Sequence, residues 1–116
     1  MMTDLLIIGG GPGALSCAIT ARKRNLDCTV VCADTQSGWL ARAERLDNYP
    51  GMPHVAGSEL LRVFREQAEE LGARFVSGVA RQVQRLGRTF MTLVGNDIIE
   101  SRAVALALGA ARPALL

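Results

Sequence analysis

Aromatic residues are scarce: one Trp, one Tyr and three Phe in 116 residues. Nucleic-acid-binding surfaces concentrate stacking rings and positive charge. With a net charge of only +2, nothing in the chain points to a nucleic-acid partner. His54 is the sole histidine, and the three cysteines, Cys17, Cys28 and Cys32, form neither a C-x-x-C pair nor a zinc-ligand spacing. Cys28 and Cys32 lie four apart on a predicted strand, which separates their Cα atoms by about 13 Å, beyond disulfide reach. All three are read as reduced, small core residues with no redox or metal role. No apolar run approaches the roughly 18 residues of a membrane span. The N-terminal apolar stretch follows Asp4 instead of a basic segment and is cut by glycines, unlike a signal peptide. The expected location is therefore the cytoplasm, with no membrane partner. Repeats and low-complexity tracts are absent.

What is present begins at Leu5. Leu5 to Ile8 has the length and branching of a buried parallel strand, and Gly9-Gly10-Gly11-Pro12-Gly13-Ala14 follows directly. Gly9, Gly11 and Ala14 fit G-x-G-x-x-G/A, the phosphate-binding turn of a dinucleotide-binding βαβ unit. Gly9 allows the tight turn, Gly11 lets backbone approach a pyrophosphate, and Ala14 lets the helix pack closely on the strand. The helix then presents unpaired N–H groups and a positive dipole end to the phosphates. Alone this turn is a weak signal; its place between a strand and a helix gives it weight. At 116 residues, 49% apolar and 21% charged, the chain has the size and composition of one globular domain.

The first helix is expected over Gly13–Arg24, with Arg22, Lys23 and Arg24 at its C-terminal end and Asn25 as its stop. Cys28 to Ala33 reads as a second strand, parallel to the first because a helix connects them. Asp34 lies about 20 residues beyond Ala14, where a carboxylate commonly binds an adenosine ribose hydroxyl; the alternative is that it only begins a turn. Asp34 to Gly57 lacks periodicity, and a segment of that length in a compact domain is usually a binding loop. A helix follows over Ser58–Leu71, with Ser58 as N-cap and Gly72 as stop. Ala73 to Val76 is a short strand. Val79–Leu86, Thr89–Val94 and Ile98–Ser101 read as a three-stranded meander turning at Gly87 and at Gly95-Asn96-Asp97. Arg81, Arg85 and Arg88 there are read as solvated edge residues. Ala103 to Leu108 is a last, separate apolar run.

Together, Gly9 to Ala14, Gly38-Trp39-Leu40, Asn48-Tyr49-Pro50-Gly51, Gly57-Ser58-Glu59-Leu60-Leu61 and Ala107-Leu108-Gly109-Ala110 resemble, in order and spacing, the N-terminal FAD-binding segment of thioredoxin reductase and its flavoprotein relatives. The resemblance covers essentially the whole chain. It implies an α/β, three-layer FAD/NAD(P)-binding (Rossmann-like) fold, with a parallel sheet of order 3-2-1-4 and a β-meander on one face. It also implies that residues 1–116 are the N-terminal part of an FAD-binding domain.

By position, the resemblance assigns Gly9, Gly11, Pro12, Gly13 and Ala14 to the FAD pyrophosphate and Cys32 to Asp34 to the adenosine side. Leu40 and Asn48 fall near the flavin, and Leu108 and Gly109 line the cofactor from the returning strand. Asn48 has a second reading, as a residue that stabilises the turn into Tyr49-Pro50-Gly51. The chain differs from the usual family pattern in having Ser37-Gly38-Trp39-Leu40 for Gly-Gly-Gln-Leu, Cys32 where an acid is common, and Leu108 for a threonine. No residue is assigned as a catalytic acid, base or nucleophile. The implied function is FAD binding within a flavin-dependent oxidoreductase, with NADPH or NADH engaged only through a domain not present here. The alternatives are an NAD(P)-binding domain and a non-catalytic nucleotide-binding module. The expected partners are the small-molecule cofactor and either a second copy of the chain or a missing C-terminal segment.

Overall fold

The apolar run after Asp4 forms the end of β1 (Met2–Ile8), and Leu6, Ile7 and Ile8 are all buried, as a central parallel strand with both faces covered requires. The structure, a computed structural model, describes residues 2–33 and 38–109. After β1 come α1 (Pro12–Lys23), β2 (Cys28–Cys32), a single turn α2 (Trp39–Arg42), α3 (Gly57–Glu70) and β3 (Arg74–Ser77). The chain then runs through β4 (Ala80–Leu86), β5 (Thr89–Val94) and β6 (Asp97–Leu106). Two helix ends carry the same closing device. Asn25 (φ 62°) and Gly72 (φ 102°) each adopt the left-handed conformation just past the helix. At α1 the N–H groups of Asn25 and Leu26 donate to Arg22 and Ala21 O; at α3 those of Gly72 and Ala73 donate to Glu69 and Ala68 O. This paired bonding satisfies the last carbonyls of a helix.

One six-stranded sheet runs in the order β3-β2-β1-β6-β5-β4. Its β3-β2-β1-β6 part is parallel, with Leu6 flanked by Thr29 and Val104, and its β6-β5-β4 part is antiparallel. One face of the parallel part packs against the helices through Ile7, Val30, Ala14, Ala18 and Ala68. The other face, Leu6, Ile8 and Val31, packs against Val94 and Ile99 from the meander. The three layers and the meander on one face are thus as the sequence implies.

The returning strand departs from expectation. Ile98–Ser101 and Ala103–Leu108 are not separate: β6 runs unbroken from Asp97 to Leu106, because nothing between Ser101 and Ala103 favours a turn. Its first half pairs with β5 and its second half with β1, and only Glu100 and Ser101 are paired to both. The order 3-2-1-4 therefore becomes β3-β2-β1-β6 and continues into the meander. Ser58 is not the N-cap of α3 either. Ala56 holds that position and Gly57 is the first helical residue. A Cβ at Gly57 would lie 1.8 Å from Leu40 O and 2.9 Å from Ala43 O, so the helix starts where its backbone can touch α2. Within 34–57, expected to be irregular, α2 and a two-bond bridge between Leu46 and Val55 are formed.

Candidate functional site

The C-terminal ends of β1, β2 and β6 meet at the glycine turn. Gly9 is held there from both sides, since its N–H donates to Val31 O and Ala107 N–H donates to Ile8 O. With φ 138°, a Cβ on Gly9 would sit 2.0 Å from Ala107 O, so this glycine is required by the fold itself. Gly10 is nearly as confined, with Cys32 Cβ 2.8 Å from where its own Cβ would be.

Gly11 and Gly13 differ in kind. A Cβ at either would meet nothing within 4 Å, and Gly11 has an ordinary extended conformation, φ −86°. The space in front of them is open. Pro12 is the first residue of α1, where its missing N–H costs nothing and its fixed φ suits the helix. Leu15 is the first helical residue whose N–H bonds back, to Gly11 O at 3.1 Å. The N–H groups of Gly13 and Ala14 precede it at the positive end of the helix, and no acidic side chain stands in the first turn. Ala14 is fully buried against Ile7 and Val30, so the small side chain does let helix and strand approach. Open backbone, aligned donors and, in the first turn of α1, no carboxylate make an arrangement able to receive an anion.

Cys32 ends β2 beside this turn, half-buried, its carbonyl accepting from Gly78 N–H at 3.1 Å. It borders a cavity of about 120 Å³ lined also by Gly10, Leu15, Leu61, Arg65 and Phe75. The Arg65 guanidinium lies over the Phe75 ring, 4.4 Å from its centroid. Cys28, by contrast, is fully buried in the core, and burial pushes its thiol above the ordinary 9.0, in keeping with its reading as an inert core residue. Asp34 lies outside the described residues. Among the described residues no cluster of His, Cys, Asp or Glu is able to hold a metal ion, and no helix is long and apolar enough to cross a membrane.

The remaining candidates sit on two flanking segments. Leu40 is half-buried in α2, with its carbonyl against Gly57. Trp39 beside it is 70% exposed, with the Arg42 guanidinium 5.2 Å from its ring centroid. Asn48 is exposed in the loop between α2 and α3, two residues past the Leu46–Val55 bridge, and its amide makes no hydrogen bond among the described residues. Leu108 is exposed and Gly109 turns with φ 73° just beyond β6. The structure thus gathers Gly9 to Ala14, Cys32 and the Ala107–Gly109 turn at the C-terminal ends of the parallel strands.

Sequence reasoning missed the cluster beneath Asn48. Arg45 Nε donates to Asp47 Oδ1 at 2.6 Å, and His54 Nδ1 lies 2.8 Å from the same oxygen and 2.7 Å from Arg45 Nη2. These residues are exposed and nine positions apart at most, with no periodicity to mark them. Only the left-handed φ of His54, 64°, signals a special position, and sequence does not show it.

Residues 3–116 match the family model described as pyridine nucleotide-disulphide oxidoreductase. The chain is 30% identical over 107 residues to a thioredoxin reductase of Bacillus subtilis, covering 92% of this chain and 34% of that protein. The structure superposes on a thioredoxin reductase from Gloeobacter violaceus with a TM-score of 0.91 at 30% identity, covering 97% of this chain and 36% of the other. A ferredoxin-flavin thioredoxin reductase from Clostridium acetobutylicum gives 0.83 at 27% identity, covering 97% and 40%. The chain spans about a third of the length of the curated relatives it matches.

Proposed function

Because the chain belongs to the pyridine nucleotide-disulphide oxidoreductase family, we propose that it binds FAD as the cofactor-holding part of a flavin-dependent oxidoreductase of the thioredoxin reductase kind. One observation carries this reading: the fold needs glycine at Gly9 but not at Gly11 or Gly13, where a Cβ would project into open space. A glycine that packing does not require is explained by what approaches the backbone from outside, and an open helix N-terminus suits a pyrophosphate. The residues present therefore fit the group. A neighbour of similar fold is itself a flavin enzyme by name, the ferredoxin-flavin thioredoxin reductase.

In this reading Gly11, Pro12, Gly13 and Ala14 hold the phosphates, with Gly9 shaping the turn. Cys32 and Asp34 face the adenosine, with the Asp34 carboxylate accepting from ribose hydroxyls. Leu40 and Asn48 lie along the flavin, and Leu108 and Gly109 line the cofactor from β6. Bound FAD would supply the redox chemistry, and these residues would fix its place. NADPH or NADH would be engaged by residues beyond this chain. Leu106 and Leu108 stand 68% and 62% exposed at the edge of the site, and we read them as covered either by a second copy or by further chain of the parent protein.

A visible spectrum of the purified chain before and after desalting, with its mass in solution, tests the assignment. The expected result is a flavin absorption band that FAD restores after desalting and NADH does not, in a self-associating species. A chain that titrates with NADH and not with FAD overturns the assignment.

A further inference from the structure

The loop from Ala43 to Ala56 leaves α2 and enters α3; Gly57 N–H to Ala43 O at 2.9 Å closes its base, and Leu46 N–H to Val55 O at 2.7 Å and Val55 N–H to Leu46 O at 3.2 Å join its limbs. The residues flanking that bridge, Arg45 and Asp47 on one limb and His54 on the other, close a side-chain clasp over it. His54 Nδ1 is within hydrogen-bond reach of both Asp47 Oδ1 and Arg45 Nη2, yet one ring nitrogen serves one of them at a time. Protonated, it donates to Asp47; bare, it accepts from Arg45. Either way the limbs are tied, and the tie holds His54 in a left-handed conformation that a residue with a side chain adopts only at a cost. Hydrogen bonds from Arg45 and His54 keep the Asp47 carboxyl below the ordinary carboxylate range, so it remains ionised through neutral pH.

Beyond the clasp the loop has a further side-chain anchor among the described residues. The Tyr49 ring packs on Phe64 of α3, centroids 6.0 Å apart and planes tilted 56°. Asn48 lies between the two, joined to Asp47 on one side and Tyr49 on the other, its amide with no bond of its own among the described residues. The contacts of Asp47 and Tyr49 hold the backbone on either side of Asn48, so its exposed amide stands on a restrained segment, placed to meet a group outside the chain.

We propose that Asp47, through its clasp with Arg45 and His54, is the positioning residue that aims the Asn48 amide at the flavin ring. The proposal rests on the reading above that the loop tip meets the flavin. Asp47 does not itself touch the cofactor; it acts through Asn48. That relation is measurable as a double-mutant cycle.

The experiment titrates the full 116-residue chain with FAD and with FMN, following flavin fluorescence and the position of the visible band. The variants are Asp47→Ala, Asp47→Glu, Asn48→Ala and the double Asp47→Ala/Asn48→Ala. Asp47 is exposed, so these variants leave the core untouched, and circular dichroism checks that they do. Expected for Asp47→Ala is a loss of about three- to tenfold in affinity, the scale of one hydrogen bond. FMN should lose as much as FAD, because the effect belongs to the flavin end. Asp47→Ala should cause no further loss and no further band shift once Asn48 is Ala, and Asp47→Glu should restore part of the affinity. Additive losses, an unchanged Asp47→Ala, or a loss confined to FAD would overturn the positioning role while leaving flavin binding in place. A wild-type chain that binds neither flavin removes the functional reading itself and this inference with it.

Discussion

Gly9 and Gly11 stand two residues apart in one turn, and opposite physical reasons account for them. At Gly9 the backbone has φ 138° and Ala107 O occupies the place of a side chain. Gly9→Ala is expected to destabilise the chain by about 3 kcal/mol or more, from backbone strain and overpacking together. Gly11 has a common conformation and free space, so Gly11→Val should cost the cofactor-free chain no more than about 1 kcal/mol, the scale of a poorer helix N-cap, and abolish FAD binding. Urea unfolding without cofactor and FAD titration separate the two effects. Equal losses of stability for both variants would show that Gly11 serves the fold and not a ligand. The motif G-x-G-x-x-G/A was legible in the sequence because its spacing is fixed by the chemistry of the turn. The division of labour inside it was not, since it depends on Ala107, which returns to the turn from the far end of the chain.

Among the elements, local signals were legible and long-range ones were not. Asn25 and Gly72 end their helices as their residue types suggest, and Gly87 and Gly95 turn the meander with positive φ. These are decisions made within a few residues. The start of α3 is decided elsewhere: Ser58 has the better capping side chain, yet Gly57 enters the helix because α2 presses on it. Gly57→Ala is therefore expected to cost about 2–3 kcal/mol by forcing α2 from α3, with the loss of protection concentrated at Ala43, Leu46 and Val55 in amide exchange. A substitution that stabilises the chain, as Gly→Ala in an open helix position does, would show that the contact with Leu40 O does not constrain the helix. Arg22 was read from sequence only as a favourable charge at the end of α1. Its Nε in fact donates to Leu71 O at 2.8 Å, so one helix's last turn serves another's last carbonyls. Nothing in the spacing of Arg22 and Leu71 announces such a pairing.

In the molecule as a whole, β6 is the strand on which two sheets' worth of pairing depends. Its antiparallel partner β5 precedes it immediately in the chain, whereas its parallel partner β1 sets Met2 opposite Glu100 and Ile8 opposite Leu106. The two halves of one strand thus carry very different loop-closure costs. Contacts of short sequence separation form early and those of long separation late, so the meander is placed to nucleate folding and the β1–β6 pairing to complete it. Ile99→Val, in the half of β6 paired with β5, is expected chiefly to slow refolding, and Ile7→Val in β1 chiefly to speed unfolding. Stopped-flow rates across a denaturant series distinguish these outcomes, and a reversed pattern would place the nucleus in the parallel half. The same asymmetry has a consequence for synthesis. On the ribosome, β1 with its glycine turn is made well before β6, and about a hundred residues must follow it before Ala107 closes behind Gly9, leaving a buried central strand without one of its neighbours in the meantime.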